Sequence, residues 1–231
     1  MRALASALAA AAVLTSGVGA QARYFELERL ATGKKIVALT FDGGDNAAGA
    51  WLILAALQRR HVPATFFVTG RWVQRYPRLA RVIGEHYAVG NHTYDHRALT
   101  GLSSAAVRAE IVEGAHWLRL RTGRDPHPLF RFPYGDRDAR TVAIVNTLGY
   151  VSVRWSLDTW GWMGPSAGQS TATVLRRVRS QLRRGAVILM HLGAARDGSI
   201  LDARALPSVL AAVERRGYRF VSLDKYVWSP Q

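Results

Sequence analysis

The feature that most constrains this chain is a regular alternation of two kinds of segment. Short runs rich in apolar and β-favouring residues alternate with amphipathic stretches of helical period, and the links between them are short. The first clear run is Ile36-Val37-Ala38-Leu39-Thr40-Phe41, which leads straight into Asp42-Gly43-Gly44-Asp45. A strand that is apolar on consecutive residues needs burial on both faces, which is the situation of a parallel sheet covered by helices. Further strands are expected at Ala64–Thr69, Tyr87–Asn91, Leu129–Phe132, Tyr150–Trp155, Ala186–Met190 and Tyr218–Leu223. Helices are expected from Asn46 to Arg60, Pro77 to His86, Ser103 to about Arg121, Asp138 to Leu148, Ser170 to Arg184 and Leu201 to Arg216. Alternating βα units with short loops close toward a barrel. Seven strands, one fewer than the common eight, imply an α/β fold of distorted, seven-stranded parallel (β/α) barrel type in a single domain.

The ends and the composition give an address. Met1-Arg2, the apolar run Ala3–Leu14 and the small residues Ser16–Ala22 read as a secretory signal peptide over residues 1–22, cut after Ala20 or Ala22. An uncleaved anchor is the alternative, but the run is short for a membrane span. Roughly 210 residues then remain as one domain, 23–231, enough for a sizeable core. The absence of cysteine excludes a disulfide scaffold, a thiolate metal site and a cysteine nucleophile. The formal charge is +15, and Lys34, Lys35 and Lys225 are the only lysines. Such a surface favours an anionic envelope. The arginines are scattered along helices and no nucleic-acid module is present, so nucleic acid is not an expected partner.

The strand ends carry the chemistry. The first delivers Asp42, the third His92 and His96, the fourth Arg131, the fifth Asp158 and the sixth His191. In a parallel barrel these residues share one rim, where such folds place their active sites. His92 and His96 are spaced to lie on one helix face or to converge on one ion from a loop. Two imidazoles with a carboxylate suit zinc or another divalent metal, while two surface histidines beside a strand fit the same spacing. His61, His86, His116 and His127 sit at no strand end and read as surface or interface groups.

The set Thr40-Phe41-Asp42, His92-Thr93-Tyr94-Asp95-His96, Arg131-Phe132-Pro133-Tyr134-Gly135, Asp158-Thr159-Trp160-Gly161-Trp162 and Leu189-Met190-His191 resembles the polysaccharide deacetylase family, carbohydrate esterase family four, across nearly the whole mature chain. The resemblance implies a distorted seven-stranded barrel and metal-dependent removal of N- or O-acetyl groups from a polysaccharide. The metal it implies is divalent: zinc first, with cobalt, nickel and manganese as alternatives. His92 and His96 would bind it, and Asp42 would be the general base, held ionised by Arg131. The backbone amide of Tyr134 would face the oxyanion, His191 would protonate the leaving amine, and Leu189 would line the acetyl pocket.

Two positions depart from the family pattern. Gly43 stands where a second acid, a metal ligand, is usual; Asp45 two residues on is the substitute ligand, the alternatives being two histidines with water, or lost activity. Gly161 stands where the acid that tunes His191 is usual, and Asp158 is the expected replacement. Trp155, Trp160 and Trp162 would wall a sugar groove or pack the barrel. The resulting expectation is a secreted, wall-associated, monomeric enzyme without a retained membrane anchor, acting on peptidoglycan amino sugars. Its rivals are a chitin or xylan deacetylase and a non-catalytic glycan-binding module on the same barrel.

Overall fold

A computed structural model of the chain describes residues 26–227. The leader expected over residues 1–22 lies outside the described residues. In chain order the elements are β1 (Glu26–Leu27), β2 (Ile36–Gly43), α1 (Ala50–Arg59), β3 (Thr65–Val68), α2 (Gly70–Arg75), α3 (Pro77–His86), β4 (Ala88–Asn91) and α4 (Ser104–Thr122). They continue with β5 (Leu129–Phe130), α5 (Ala139–Thr147), β6 (Val151–Val153), β7 (Leu157–Asp158), α6 (Thr171–Gln181), β8 (Val187–His191), α7 (Leu201–Arg215) and β9 (Arg219–Val221).

All nine strands belong to one sheet, ordered β1-β6-β5-β4-β3-β2-β8-β7, with β9 added on β2. Every pairing between named strands is parallel. The result is the expected α/β architecture, a curled parallel half-barrel. Each of the seven runs read from the sequence contains a strand. The two-residue strands β1 and β7 carry too little pattern to be visible in advance. β1 pairs with β6, and the residues after it reach β8 through an Arg29–Ala186 bridge and a Leu30 N–H to Gly185 O bond of 2.8 Å. The lead-in therefore straps the seam of the barrel.

Side-chain parity along the strands separates two apolar layers. On β2, Val37, Leu39 and Phe41 join the core beneath the outer helices, with Ile53, Leu57, Leu206, Leu210 and Val213. Ile36 and Ala38 join the inner core with Phe67, Leu129, Val151, Val153 and Val187. Successive strand residues alternate in direction, so Thr40 and Asp42 continue the inner row. The same parity puts Leu189 and His191 of β8 on the row of Val187.

The helices follow their caps. Ser103 accepts from Ala106 N at the start of α4, and Gly123 ends it with φ 70°. Asp138 and Ser170 each form a reciprocal capping box. Pro77 occupies the first turn of α3. Two expectations are corrected. The first helix begins at Ala50, not at Asn46, because Asn46 is used elsewhere: its Oδ1 accepts from Ala194 N at 2.7 Å and its Nδ2 donates to Ala194 O at 3.2 Å. Trp51 and Leu52 of this helix are exposed. Gly70–Arg75, expected as a strand end and loop, is helical because the Thr69 hydroxyl accepts from Trp72 N.

Candidate active site

The expected rim residues come together. Asp42, Gly44, Asp45, His92, Asp95, His96, Tyr134, Trp155, Asp158, Trp162, Leu189 and His191 line one cavity of about 570 Å³. Arg131 lies beneath it, fully buried.

Asp42 and His191 are partners in the β2–β8 ladder, so the two groups stand on the same rung of neighbouring strands. Asp42 Oδ1 accepts from Arg131 Nη1 at 2.6 Å. The same guanidinium donates to Val153 O at 3.1 Å and Arg154 O at 3.3 Å and lies 4.0 Å from the Phe67 ring centre. Gly90 makes room for Phe67: a Cβ there would lie 2.4 Å from its ring. Burial alone would raise the Asp42 pKa, but Arg131, His92 and His191 outweigh it and hold the carboxyl below the ordinary range.

The two histidines converge. His92 Nδ1 lies 2.8 Å from Arg131 O, so Nδ1 carries the proton and donates, leaving a lone pair on Nε2. His92 Nε2 is 3.1 Å from His96 Nε2 and 3.6 Å from Asp42 Oδ2. Burial lowers the pKa of both imidazoles, and the neighbouring His92 adds to this at His96, which is pushed down to about 3. Two neutral imidazole nitrogens facing each other fit a shared cation. On a tetrahedral zinc ion two such nitrogens sit roughly 3.3 Å apart. Asp45 lines the same cavity, with its Oδ2 3.2 Å from Asn46 Nδ2. Among the described residues no three His, Asp or Glu side chains form a converged metal-binding group.

The backbone is strained around this cavity. Thr93, His96, Tyr134 and Trp160 have φ between 59° and 69°, unusual for residues with side chains. The turn at Tyr134 sets its ring edge-on to His96 at 4.6 Å. Gly44 is needed beneath His96, where a Cβ would lie 2.8 Å from the imidazole. Gly43 lies against an apolar wall. It has the outward parity, and a Cβ there would meet Leu192 at 2.9 Å, Val68 at 3.0 Å and Trp72 at 3.4 Å, all apolar.

A model of the polysaccharide deacetylase family matches residues 29–153, more than half of the chain. The chain belongs to the polysaccharide deacetylase family. A deacetylase that removes N-acetyl groups is a hydrolase of a carbon–nitrogen bond other than a peptide bond. This deacetylase-family chain is 32% identical over 204 residues to a chitooligosaccharide deacetylase of Bradyrhizobium, covering 84% of this chain and 91% of that one. It is 34% identical over 201 residues to the peptidoglycan-N-acetylglucosamine deacetylase PgdA of Listeria monocytogenes, covering 87% of this chain but only 40% of that protein. Its fold superposes with a TM-score of 0.78 and 26% identity on a carbohydrate esterase family four pseudoenzyme from Bacillus anthracis, covering 88% of this chain and 69% of that one.

Asp158 lines the cavity, but its carboxylate accepts from Trp160 N at 2.9 Å and faces Trp162 Nε1 at 3.4 Å. Trp155 and Trp162 face the cavity; Trp160 instead stacks on the Arg177 guanidinium, 3.3 Å from its ring centre. The residue that sequence reasoning missed is Asp202, in the first turn of α7. Its Oδ2 accepts from His191 N at 2.9 Å and lies 3.7 Å from His191 Nδ1. The one signal for it was an acid at the start of the helix that follows His191, which reads equally as a helix-terminus charge.

Proposed function

We propose that this protein is an exported, metal-dependent N-deacetylase of a cell-wall glycan, acting as a monomer on peptidoglycan through one catalytic domain, 23–231, behind a cleaved leader, 1–22. The observation that carries the reading is the juxtaposition of an ionised, arginine-held carboxylate, a same-rung histidine and two converging imidazoles in one cavity. His92 and His96 are the residues that would hold the metal, zinc by preference, with Asp45 assigned as the carboxylate ligand. A bound divalent ion supplies Lewis acidity and lowers the pKa of water from about 16 toward 7.

The chain's own residues do the rest. Asp42 takes the proton from water, and Arg131 keeps Asp42 ionised and aimed. The backbone N–H of Tyr134 donates to the oxyanion, a contribution of about 3–4 kcal/mol by the standard of other oxyanion donors. His191 gives a proton to the departing amine. Leu189 backs the acetyl methyl, and Trp162 with Trp155 offers indole faces to the sugar. Similarity to a named pseudoenzyme makes the retained set the relevant point: Asp42, Arg131, His92, His96 and His191 are all in place.

Acetate release from peptidoglycan and from chitooligosaccharides, with added zinc or cobalt and after chelation, tests the reading. Metal-dependent release is expected, and Asp42→Asn and His191→Ala each lower turnover by orders of magnitude with the fold intact. No acetate from any acetylated glycan with metal present rejects the enzyme and leaves the binding module. Unchanged metal affinity in Asp45→Ala removes Asp45 from the site. A chitooligosaccharide substrate is the second reading, favoured by the near full-length match to the chitooligosaccharide deacetylase.

A further inference from the structure

We propose that Asp202 is the positioning acid of His191, and that it fills the space which an acidic side chain at position 161 would otherwise occupy. The proposal rests on the deacetylase reading, in which His191 is the proton donor.

Space is the first argument. A Cβ built on Gly161 would lie 2.2 Å from Asp202 Oδ1, 2.5 Å from its Cγ and 3.0 Å from Oδ2. Gly161 has no left-handed φ, so its backbone accepts a side chain, and the three atoms nearest to the built Cβ all belong to the Asp202 carboxylate. Two acids cannot share this volume. The carboxylate arrives here from α7, some forty residues further along the chain.

Contacts are the second argument. Asp202 is buried, with 3% of its surface exposed. Its Oδ1 accepts from Thr159 Oγ1 at 2.7 Å, and its Oδ2 accepts from His191 N at 2.9 Å. His191 Nδ1 is buried without a hydrogen-bond partner, and Asp202 Oδ2 faces it at 3.7 Å. An acid so placed anchors the His191 backbone and, through its charge, favours the protonated form of the imidazole. Asp158 is occupied with the tryptophan loop. The charged and titratable groups facing His191 are Asp42 from β2, Asp158 from β7, Asp202 from α7, and His92 and His96 beyond β4.

The test uses Asp202→Asn, Asp202→Gly, Gly161→Asp and the double variant Gly161→Asp/Asp202→Gly in the full chain. Two readouts are taken: His191 imidazole titration by NMR in metal-free protein, and kcat and KM for acetate release. Asp202→Asn keeps the shape and removes the charge. It should move the His191 titration down by about one pH unit or more and lower kcat about 10- to 100-fold with KM unchanged. Gly161→Asp alone should melt at a lower temperature, and the double variant should recover kcat to within about tenfold of the parent. An unmoved His191 titration and unchanged kcat in Asp202→Asn would show that Asp202 merely ties α7 to the loop, and would overturn the proposal. A folded double variant no better than Asp202→Gly would overturn the exchange of positions. If the parent releases no acetate, the deacetylase reading fails, and the NMR titration still decides whether Asp202 controls His191.

Discussion

At the scale of single residues, the site is held by one buried cation. Arg131 joins Asp42, the β6 backbone and the Phe67 face, so its loss leaves an uncompensated carboxylate in the barrel interior. Breaking a buried pair from one side costs about 3–5 kcal/mol. Arg131→Met should lose that much stability in urea unfolding, together with turnover. His92→Ala and His96→Ala should each abolish tight metal binding in titration calorimetry while changing the melting temperature far less. As the proposed proton donor, His191 should carry the pH dependence. Burial would lower its pKa, but Asp202, Asp42 and Asp158 raise it above the ordinary histidine value. As a proton donor it works while protonated, so activity should persist above about pH 6.5 and fall as pH rises through the raised value. The stability contributed by protonated His191 has the same sign: it is full below the unfolded pKa and is lost on the alkaline side. Asp42, His92, His96, Arg131 and His191 were legible because each stands at or just beyond the end of a strand in a compact motif. Asp202 was not, because a carboxylate brought in by a later helix leaves no trace at position 161 except a glycine.

At the scale of elements, the alternation of strand and helix was readable from apolar pattern and caps, since both are local. Which face each strand residue takes was not. A run such as Ile36–Phe41 is apolar on both sides, so periodicity cannot distinguish the inner row from the outer. Parity decides it, and parity explains why Gly43 has apolar neighbours while Gly44 lies against His96. Position 43 should therefore not accept an acid simply: Gly43→Asp should lower the melting temperature without tightening metal binding, read by thermal scanning and calorimetry. The helix layer has its own close contact. A Cβ on Gly84 in α3 would lie 1.9 Å from Thr122 O of α4. Gly84→Ala should push these helices apart and cost about 1–3 kcal/mol, measured by chemical denaturation.

At the scale of the whole molecule, charge and topology act separately. The formal charge of +15 draws the protein to anionic polymers over a distance that salt shortens to about 8 Å at physiological ionic strength. Rates on intact wall polymer should fall with added salt, and rates on a neutral chitooligosaccharide should hardly move; parallel kcat/KM series would read the difference. No helix among the described residues is long and apolar enough to cross a membrane. Topology sets the chemistry apart from this surface. Asp42 and His191 are neighbours across one ladder rung, about 4.8 Å between strands, so their separation is fixed by the backbone hydrogen bonds of the β2–β8 ladder. Tyr134 and Trp162, the residues proposed to meet the glycan, sit on loops above it. Those loops can be lengthened, shortened or exchanged during evolution or in the laboratory without retuning the proposed proton-handling pair, which makes this barrel a natural starting point for redirecting deacetylation to new polymers.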